Sequence, residues 1–142
     1  MGSLLTKTYH ILRLLLGALF IYASIDKIAH PHAFAQAIFN YQILPNYLIN
    51  LAALILPWME LLSGFCLIIN KWMPGASMII TILLTCFLAS IFYNLSRGLN
   101  ISCGCFSTNT GEDIISNLTL FRDIVLLLMA ICLASMIFLK DK

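Results

Sequence analysis

Charged side chains are scarce in this sequence: only 10% of its 142 residues are Asp, Glu, Lys or Arg, whereas 61% are hydrophobic. A water-soluble domain is roughly one quarter charged, and a chain this short cannot bury so much apolar surface in one core. The eight Lys and Arg residues are spread along the chain, so the clustered basic face of nucleic-acid-binding proteins is missing. The composition predicts a protein embedded in a lipid bilayer, with no nucleic-acid partner.

The short motifs of several enzyme classes are also missing. The sequence contains no Cys-x-x-Cys, no glycine-rich phosphate loop, no haem-attachment motif and no Ser-His-Asp arrangement. These absences argue against the enzymes that depend on those motifs.

Four apolar runs are present, and a helix that crosses the hydrocarbon needs about 20 mostly apolar residues. The runs cover residues 9–25, 48–69, 73–95 and 118–139, and the larger connections between them cover residues 26–47 and 96–117. No small-x-small cleavage site follows the first run, so we expect it to be retained rather than removed as a signal peptide. The sequence thus predicts an all-α integral membrane protein: one membrane domain, residues 1–142, forming a bundle of four transmembrane helices.

The connection between the first and second runs has a helical pattern of its own. Phe34, Ala37, Ile38 and Tyr41 recur at helical spacing, which is typical of a short amphipathic helix on the membrane surface. Pro31 and Pro45 suit its beginning and its end. A lid without chemistry is the simplest interpretation of this segment.

Basic residues favour one orientation of the bundle. Five lie on the side of the termini and three on the opposite side: Lys7, Arg13, Lys71, Lys140 and Lys142, against Lys27, Arg97 and Arg122. The positive-inside rule then places both termini in the cytoplasm and the two larger connections outside.

Two of the five cysteines form a motif. Cys103 and Cys105 flank Gly104 in the second outer connection, and two thiols this close can form a small, strained and easily reduced disulfide ring. Arg97 and the N-terminus of the fourth helix would favour a thiolate there. The pair therefore predicts thiol–disulfide exchange in an oxidising compartment. The other three cysteines, Cys66, Cys86 and Cys132, lie inside apolar runs, where free cysteine is usually a small hydrophobe.

Other interpretations of the pair remain open. One is a permanent staple of the loop, although so short a ring stabilises little. Another is a metal site, in which Cys103, Cys105, His30 and His32 form a Cys₂His₂ set for zinc or copper.

Two charged residues fall deep inside the first two runs. Glu60 lies about 18 Å and Arg13 about 21 Å from the outer ends of their helices, at a rise of about 1.5 Å per residue. Because each charge is costly alone in lipid, we expect an Arg13–Glu60 ion pair that locks the two helices or serves a proton or quinone site. Pro57 should kink the second helix beside Glu60, and Trp58 would wall a small pocket there.

Several motifs together resemble one family. They are Arg13 with Gly17, Lys27 with Pro31 and Phe34-Ala35, Asn40-Tyr41, Leu44-Pro45, Leu56-Pro57-Trp58-Met59-Glu60 with Gly64, and Cys103-Gly104-Cys105-Phe106. Over residues 13 to about 128 the chain resembles the MauE branch of the DoxX-like membrane proteins. The resemblance implies a bacterial inner-membrane protein with four helices, a periplasmic thioredoxin-like partner, and a role in disulfide formation or maturation of exported proteins.

Two departures from the family pattern, Ser107 in place of Gly and Asp123 in place of Asn, leave both thiols intact. Membrane thiol oxidases with a four-helix core use two cysteine pairs, but this chain has one external pair, so whether it is an enzyme stays open. A quinone is the one cofactor considered, and an oligomer is also considered. The alternative functions are a non-catalytic membrane chaperone or assembly factor, and a metal-binding or small-solute transport protein centred on Glu60.

Overall fold

A computed structural model of the chain describes residues 2–98 and 117–140, and these residues form helices joined by short connections. The helices are α1 (Gly2–Ala29), α2 (Pro31–Tyr41), α3 (Asn46–Ile69), α4 (Met73–Ser96) and α5 (Asn117–Lys140). The predicted runs 48–69, 73–95 and 118–139 correspond to α3, α4 and α5, which extend them by no more than two residues at either end. The first predicted run is the middle of a longer helix, because α1 continues to Ala29 and includes Lys27.

Three helices of the described residues have the length and composition of membrane spans. They are Asn46–Ile69, Met73–Ser96 and Leu120–Lys140. The 28-residue α1 is long enough to cross a bilayer, but it carries Lys7, His10, Arg13 and Lys27 among its apolar residues. The chain is therefore an all-α membrane protein, and the fourth span stays a prediction.

The four long helices pack in the cyclic order α1, α3, α4, α5, with α5 returning to contact α1, while α2 packs mainly on α3. Contacts between α1 and α3 run in opposite directions along the two helices. The hydroxyl of Tyr9 donates a hydrogen bond of 3.0 Å to Asn70, and Gly17 lies against Gly64. The two helices are therefore antiparallel neighbours along most of their length.

The backbones of α1 and α3 come closest at this glycine pair. A Cβ atom added to Gly17 would lie 2.9 Å from the carbonyl oxygen of Gly64, and one added to Gly64 would lie 2.9 Å from the carbonyl oxygen of Gly17. Small residues that let helix backbones approach are typical of helix packing in membranes. The pair fixes the register of α1 against α3.

A connection of three residues joins α3 to α4. Asn70 and Trp72 both adopt the left-handed conformation, with φ of 64° and 51°, and the backbone N–H of Lys71 donates to the carbonyl of Cys66. This geometry satisfies the end of α3 and turns the chain back at once. The two helices therefore form an antiparallel hairpin.

The interior is apolar and the outer surface is apolar as well. The core cluster consists of Leu16, Phe20, Leu67, Met73, Ala76, Ile80, Leu83, Leu84, Leu126, Ala130, Leu133 and Ile137. On the outside, large side chains such as Leu54, Leu62, Ile82 and Leu128 are about 60% exposed. Exposed apolar surface on this scale indicates lipid as the surrounding solvent.

The helix predicted between the two prolines occupies Pro31–Tyr41, so it begins at Pro31 and ends four residues before Pro45. Phe34 and Ala37 are buried against the bundle, as the helical pattern predicts. Gln42 in the left-handed conformation ends α2, and Pro45 is the N-cap of α3. The position of α2 relative to a membrane surface stays a prediction.

Candidate functional site

A buried ion pair joins α1 to α3 at the end of the bundle where α2 lies. The Nζ atom of Lys27 donates hydrogen bonds of 2.8 and 2.9 Å to the two carboxylate oxygens of Glu60. Each residue is only 1% exposed. Two opposite charges this close in an apolar interior attract each other strongly, and the pair as a whole has almost no net charge.

Two aromatic rings complete the surroundings of the ammonium. The centroids of Phe34 in α2 and Phe87 in α4 each lie 5.1 Å from the Nζ atom of Lys27. At this distance the faces of the rings attract a cation. Lys27 is thus held by residues of α2, α3 and α4 together.

The predicted Arg13–Glu60 ion pair is wrong. Glu60 pairs with Lys27, whereas the guanidinium of Arg13 lies 6.0 Å from the ring centroid of Tyr9. The Nε atom of Arg13 is buried and has no hydrogen-bond partner within residues 2–98 and 117–140.

The glycine contact and the direction of side chains explain this difference. Lys27 lies ten residues, or about 15 Å, beyond Gly17 toward the α2 end, and Glu60 lies four residues, or about 6 Å, before Gly64 toward the same end. Arg13 lies about 6 Å from Gly17 in the opposite direction. Side chains lean toward the N-terminus of their own helix, so in an antiparallel pair Lys27 and Glu60 lean toward each other and Arg13 leans away.

A second polar group lies at the same end of the bundle. Asp123 of α5 is 4% exposed, and one of its carboxylate oxygens lies 3.2 Å from the Nε atom of Arg122. The negative charges of Asp123 and of Asp26 also act on Lys27. Lys27 of α1 is thus surrounded by carboxylates of α1, α3 and α5. Linear spacing does not show this arrangement, because it depends on which helices are neighbours.

Tyr41 at the end of α2 belongs to this group. Its burial, followed by the negative charge of Asp123, raises the pKa of the Tyr41 phenol above its ordinary value. The phenol therefore stays protonated and remains a hydrogen-bond donor over the physiological pH range. The helical spacing of the sequence marks Tyr41 as an apolar position and does not reveal this charge beside it.

Pro57 and Trp58 have different surroundings. Pro57 is buried on the same face of α3 as Glu60, and α3 continues through it as one helix. Because proline has no N–H, the carbonyl of Ala53 loses its helical partner there. Trp58 is 50% exposed on the outside of the helix, because it follows Pro57 by one residue and points about 100° around the helix from it. The small pocket expected beside Trp58 stays a prediction.

The predicted thiol pair, Cys103 and Cys105 with Gly104 between them, lies outside the described residues. Of the residues expected to assist it, Arg97 is described: it ends α4, donates a hydrogen bond of 3.4 Å to Gln42, and lies 5.4 Å from the ring centroid of Tyr93. Cys66, Cys86 and Cys132 are free thiols. The chain from α4 to α5 starts and finishes at the α2 end of the bundle.

The histidines of the alternative metal site are both exposed. The Nδ1 atom of His30 lies 3.2 Å from the carbonyl oxygen of Asp26 and 3.6 Å from its carboxylate, and His32 lies two residues further along α2. No three His, Cys, Asp or Glu side chains of the described ranges come together as metal ligands. Because Cys103 and Cys105 are outside those ranges, the Cys₂His₂ hypothesis stays untested.

The fold and this centre define an all-α membrane protein in which a buried lysine–glutamate pair holds neighbouring helices at one end of the bundle. The model of the MauE family, described as "Methylamine utilisation protein MauE", matches residues 5–136. The chain therefore belongs to the MauE family, as its motifs predict.

Three relatives carry the same description, Methylamine utilization protein MauE. The protein of Paracoccus denitrificans is 30% identical over 125 residues, which are 87% of this chain and 67% of the relative. The protein of Methylophilus methylotrophus is 29% identical over 114 residues, 80% of this chain and 60% of the relative. That of Methylorubrum extorquens is 32% identical over 85 residues, 59% of this chain and 46% of the relative. The chain thus spans about two thirds or less of the length of these relatives. No solved structure matches it.

Proposed function

We propose that this protein is a thiol–disulfide exchange protein of the bacterial inner membrane, whose Cys103-Gly104-Cys105 segment exchanges with a periplasmic thioredoxin-like protein during the maturation of exported proteins. The relatives are named for methylamine utilization, and the proposal places this chain in the same process. The observation that supports it is topological: α4 ends and α5 begins at the α2 end of the bundle, and Cys103-Gly104-Cys105 lies between these two helices in the sequence.

The proposal includes a fourth membrane span formed by α1. Its outward face carries large apolar side chains, with Ile11 63%, Tyr22 69% and Ile25 57% exposed, and water would solvate such a face poorly. The antiparallel contact with the span α3 supports the same assignment. An even number of spans puts both termini on one side, and the excess of basic residues there favours the cytoplasm.

The chemistry follows from the strain of a short disulfide ring. A thiolate of the reduced partner attacks one sulfur of the Cys103–Cys105 disulfide, which forms a mixed disulfide and releases the other cysteine as a thiolate. The second thiol of the partner then attacks the mixed disulfide. Two electrons pass from the partner to the membrane protein, the partner leaves as a disulfide, and its two protons remain with the new thiols or the solvent. Running in reverse, the same steps reduce the partner.

Arg97 supports the thiolate state in this proposal. It lies at the end of α4, six residues before Cys103, and its positive charge lowers the cost of a nearby thiolate. The buried Lys27–Glu60 pair has a structural task in this proposal, since it holds α1 against α3.

Trapping a covalent partner tests the proposal. In Cys105→Ser or Cys103→Ser the remaining thiolate can still attack the disulfide of an oxidised partner, but the second cysteine that would resolve the mixed disulfide is missing. A mixed disulfide with a periplasmic thioredoxin-like protein should therefore accumulate and disappear on reduction. Cys132→Ser, which removes an exposed thiol on α5, is the matched control and should trap nothing.

The reduction potential of the pair provides a second test. The reduction potential of a structural disulfide is below about −300 mV. The exchange function requires that the potential of the Cys103–Cys105 pair, measured by titration against glutathione buffers, is higher than this. A value below that limit, or full function of the double variant Cys103→Ser and Cys105→Ser, would favour the non-catalytic chaperone or assembly factor.

A further inference from the structure

A half-enclosed cavity of about 460 Å³ lies between α2, α3 and α4. Its walls are almost entirely apolar and include Phe34, Leu56, Leu83, Cys86 and Phe87. The volume is within the range of about 300–1,000 Å³ that small-molecule sites occupy. The cavity therefore has the size and polarity of a site for a hydrocarbon group.

A second, more open hollow of about 450 Å³ continues from the first. The two share Ile43, Ala89 and Ser90, and the second is also lined by Gln42 and Tyr93. Together they form a groove that is apolar beside α3 and polar at the end of α4. We refer to this pair of hollows as the α2–α4 groove.

A positive charge lies at the polar end of the α2–α4 groove. The exposed Arg97 donates a hydrogen bond to Gln42 and lies over the ring of Tyr93. Gln42 and Tyr93, which line the second hollow, therefore both contact the guanidinium of Arg97. No carboxylate of residues 2–98 and 117–140 forms an ion pair with Arg97. A guanidinium has five N–H donors in a planar fork that matches a phosphate group.

The length of the groove matches one leaflet of a bilayer. Arg97 ends α4, and Leu83 lies fourteen residues earlier, about 21 Å along the helix. One leaflet with its headgroup region is about 20–22 Å thick. A molecule with its phosphate at Arg97 would thus extend its chain toward the middle of the bilayer, as a membrane lipid does.

We propose that the α2–α4 groove binds one anionic phospholipid, with an acyl chain in the apolar cavity and its phosphate against Arg97. The lipid holds α2 to the bundle, because Phe34 and Phe87 contact the acyl chain on one side and Lys27 on the other. The site shares Arg97 with the proposed exchange site but needs neither Cys103 nor Cys105.

Photoreactive lipids test the proposal. The full-length protein is placed in phosphatidylcholine nanodiscs that contain a trace of a photoreactive lipid. This lipid is either phosphatidylglycerol or phosphatidylcholine, and in both cases it carries a diazirine in one acyl chain. The labelled peptides are mapped after illumination. Phosphatidylglycerol should label α2 and residues 83–90 at least threefold more than phosphatidylcholine. Arg97→Gln should remove this preference, and Ala89→Trp, which fills the groove, should lower labelling by both lipids.

Ile131→Trp, which also places a tryptophan on the bundle surface but on the exposed face of α5, is the control and should leave the labelling of residues 83–90 unchanged. Equal labelling by the two lipids in the wild-type protein, or equal labelling of α4 and the outer face of α5, would overturn the proposal. The proposal would also be wrong if decylubiquinone displaced the labelling lipid and Arg97→Gln had no effect on the labelling. The occupant of the groove would then be a quinone.

Discussion

Lys27 of α1 donates to both carboxylate oxygens of Glu60 of α3, and neither side chain reaches the surface. The two residues are 33 positions apart in the chain, and the pair exists only because the two helices are antiparallel and in this register. It links the α2 end of α1 to the middle of α3, and its strength should be visible in the stability of the whole protein.

Removing one member of the pair should be much more harmful than removing both. Glu60→Gln leaves a buried ammonium without its counter-charge and should lower the free energy of unfolding by about 3–5 kcal/mol. Lys27→Met with Glu60→Leu removes both charges at similar volume and should recover most of this loss. Thermal unfolding in detergent measures the effect. Arg13→Gln is the comparison, and a loss as large as that of Glu60→Gln would contradict the assignment of the pair.

Adding one methyl group at the glycine contact should separate α1 from α3. Gly17→Ala and Gly64→Ala each place a Cβ 2.9 Å from a backbone oxygen, and overpacking of this kind costs about 1–3 kcal/mol. Gly75→Ala is the matched control, since a Cβ there meets nothing within 4 Å. Equal melting temperatures for all three variants would show that the contact is looser than described.

Tyr41 should resist ionisation in the folded protein. Folding raises the pKa of its phenol, so the stability that comes from keeping it neutral is complete below the unfolded value of about 10 and is lost as the pH rises above it. In near-ultraviolet titration, the phenolate signal lost in Tyr41→Phe should appear at a pH above the ordinary tyrosine value of about 10. Asp123→Asn should move the Tyr41 titration to lower pH; an unchanged titration would mean that Asp123 has no influence on it.

The orientation of the bundle can be tested in whole cells. After mild reduction, a thiol reagent that cannot cross lipid should label Cys103 and Cys105 from outside, because the positive-inside rule places their segment in the periplasm. The variant Cys103→Ser with Cys105→Ser should lose this label, while Cys86 and Cys132 remain unlabelled in both proteins. Labelling only after the inner membrane is opened would place the segment in the cytoplasm and exclude the proposed partner.

The sequence predicted most helix boundaries because they follow from local chemistry. Pro31 begins α2, and the apolar runs of α3, α4 and α5 end near polar or turn residues. The extent of α1 was underestimated because Lys7 and Lys27 were taken as the edges of an apolar run. A helix continues through such residues when its backbone hydrogen bonds are satisfied and the lysine finds a partner inside the protein.

The candidate site was predicted less well, since it depends on contacts between distant segments. The depth of each residue in the bilayer, estimated from its position along its helix, favoured Arg13 as the partner of Glu60. This estimate ignores the contact between Gly17 and Gly64 and the direction in which side chains lean. Tyr41 and Asp123 come together only once α2 and α5 are placed at the same end of the bundle. The two outer cysteines were found from their spacing alone, and their geometry lies outside the described residues.

In the proposed arrangement with four spans, the buried pair also bears on how the chain enters the bilayer as it is synthesised. Protein synthesis proceeds from the N-terminus, so the ammonium of α1 has been made before the carboxylate of α3 leaves the ribosome. When α3 leaves the insertion machinery, Glu60 can pair at once with Lys27, and the pair has almost no net charge. A rearranged gene that placed α3 ahead of α1 would have to expose a lone carboxylate to the lipid tails until its cation arrived.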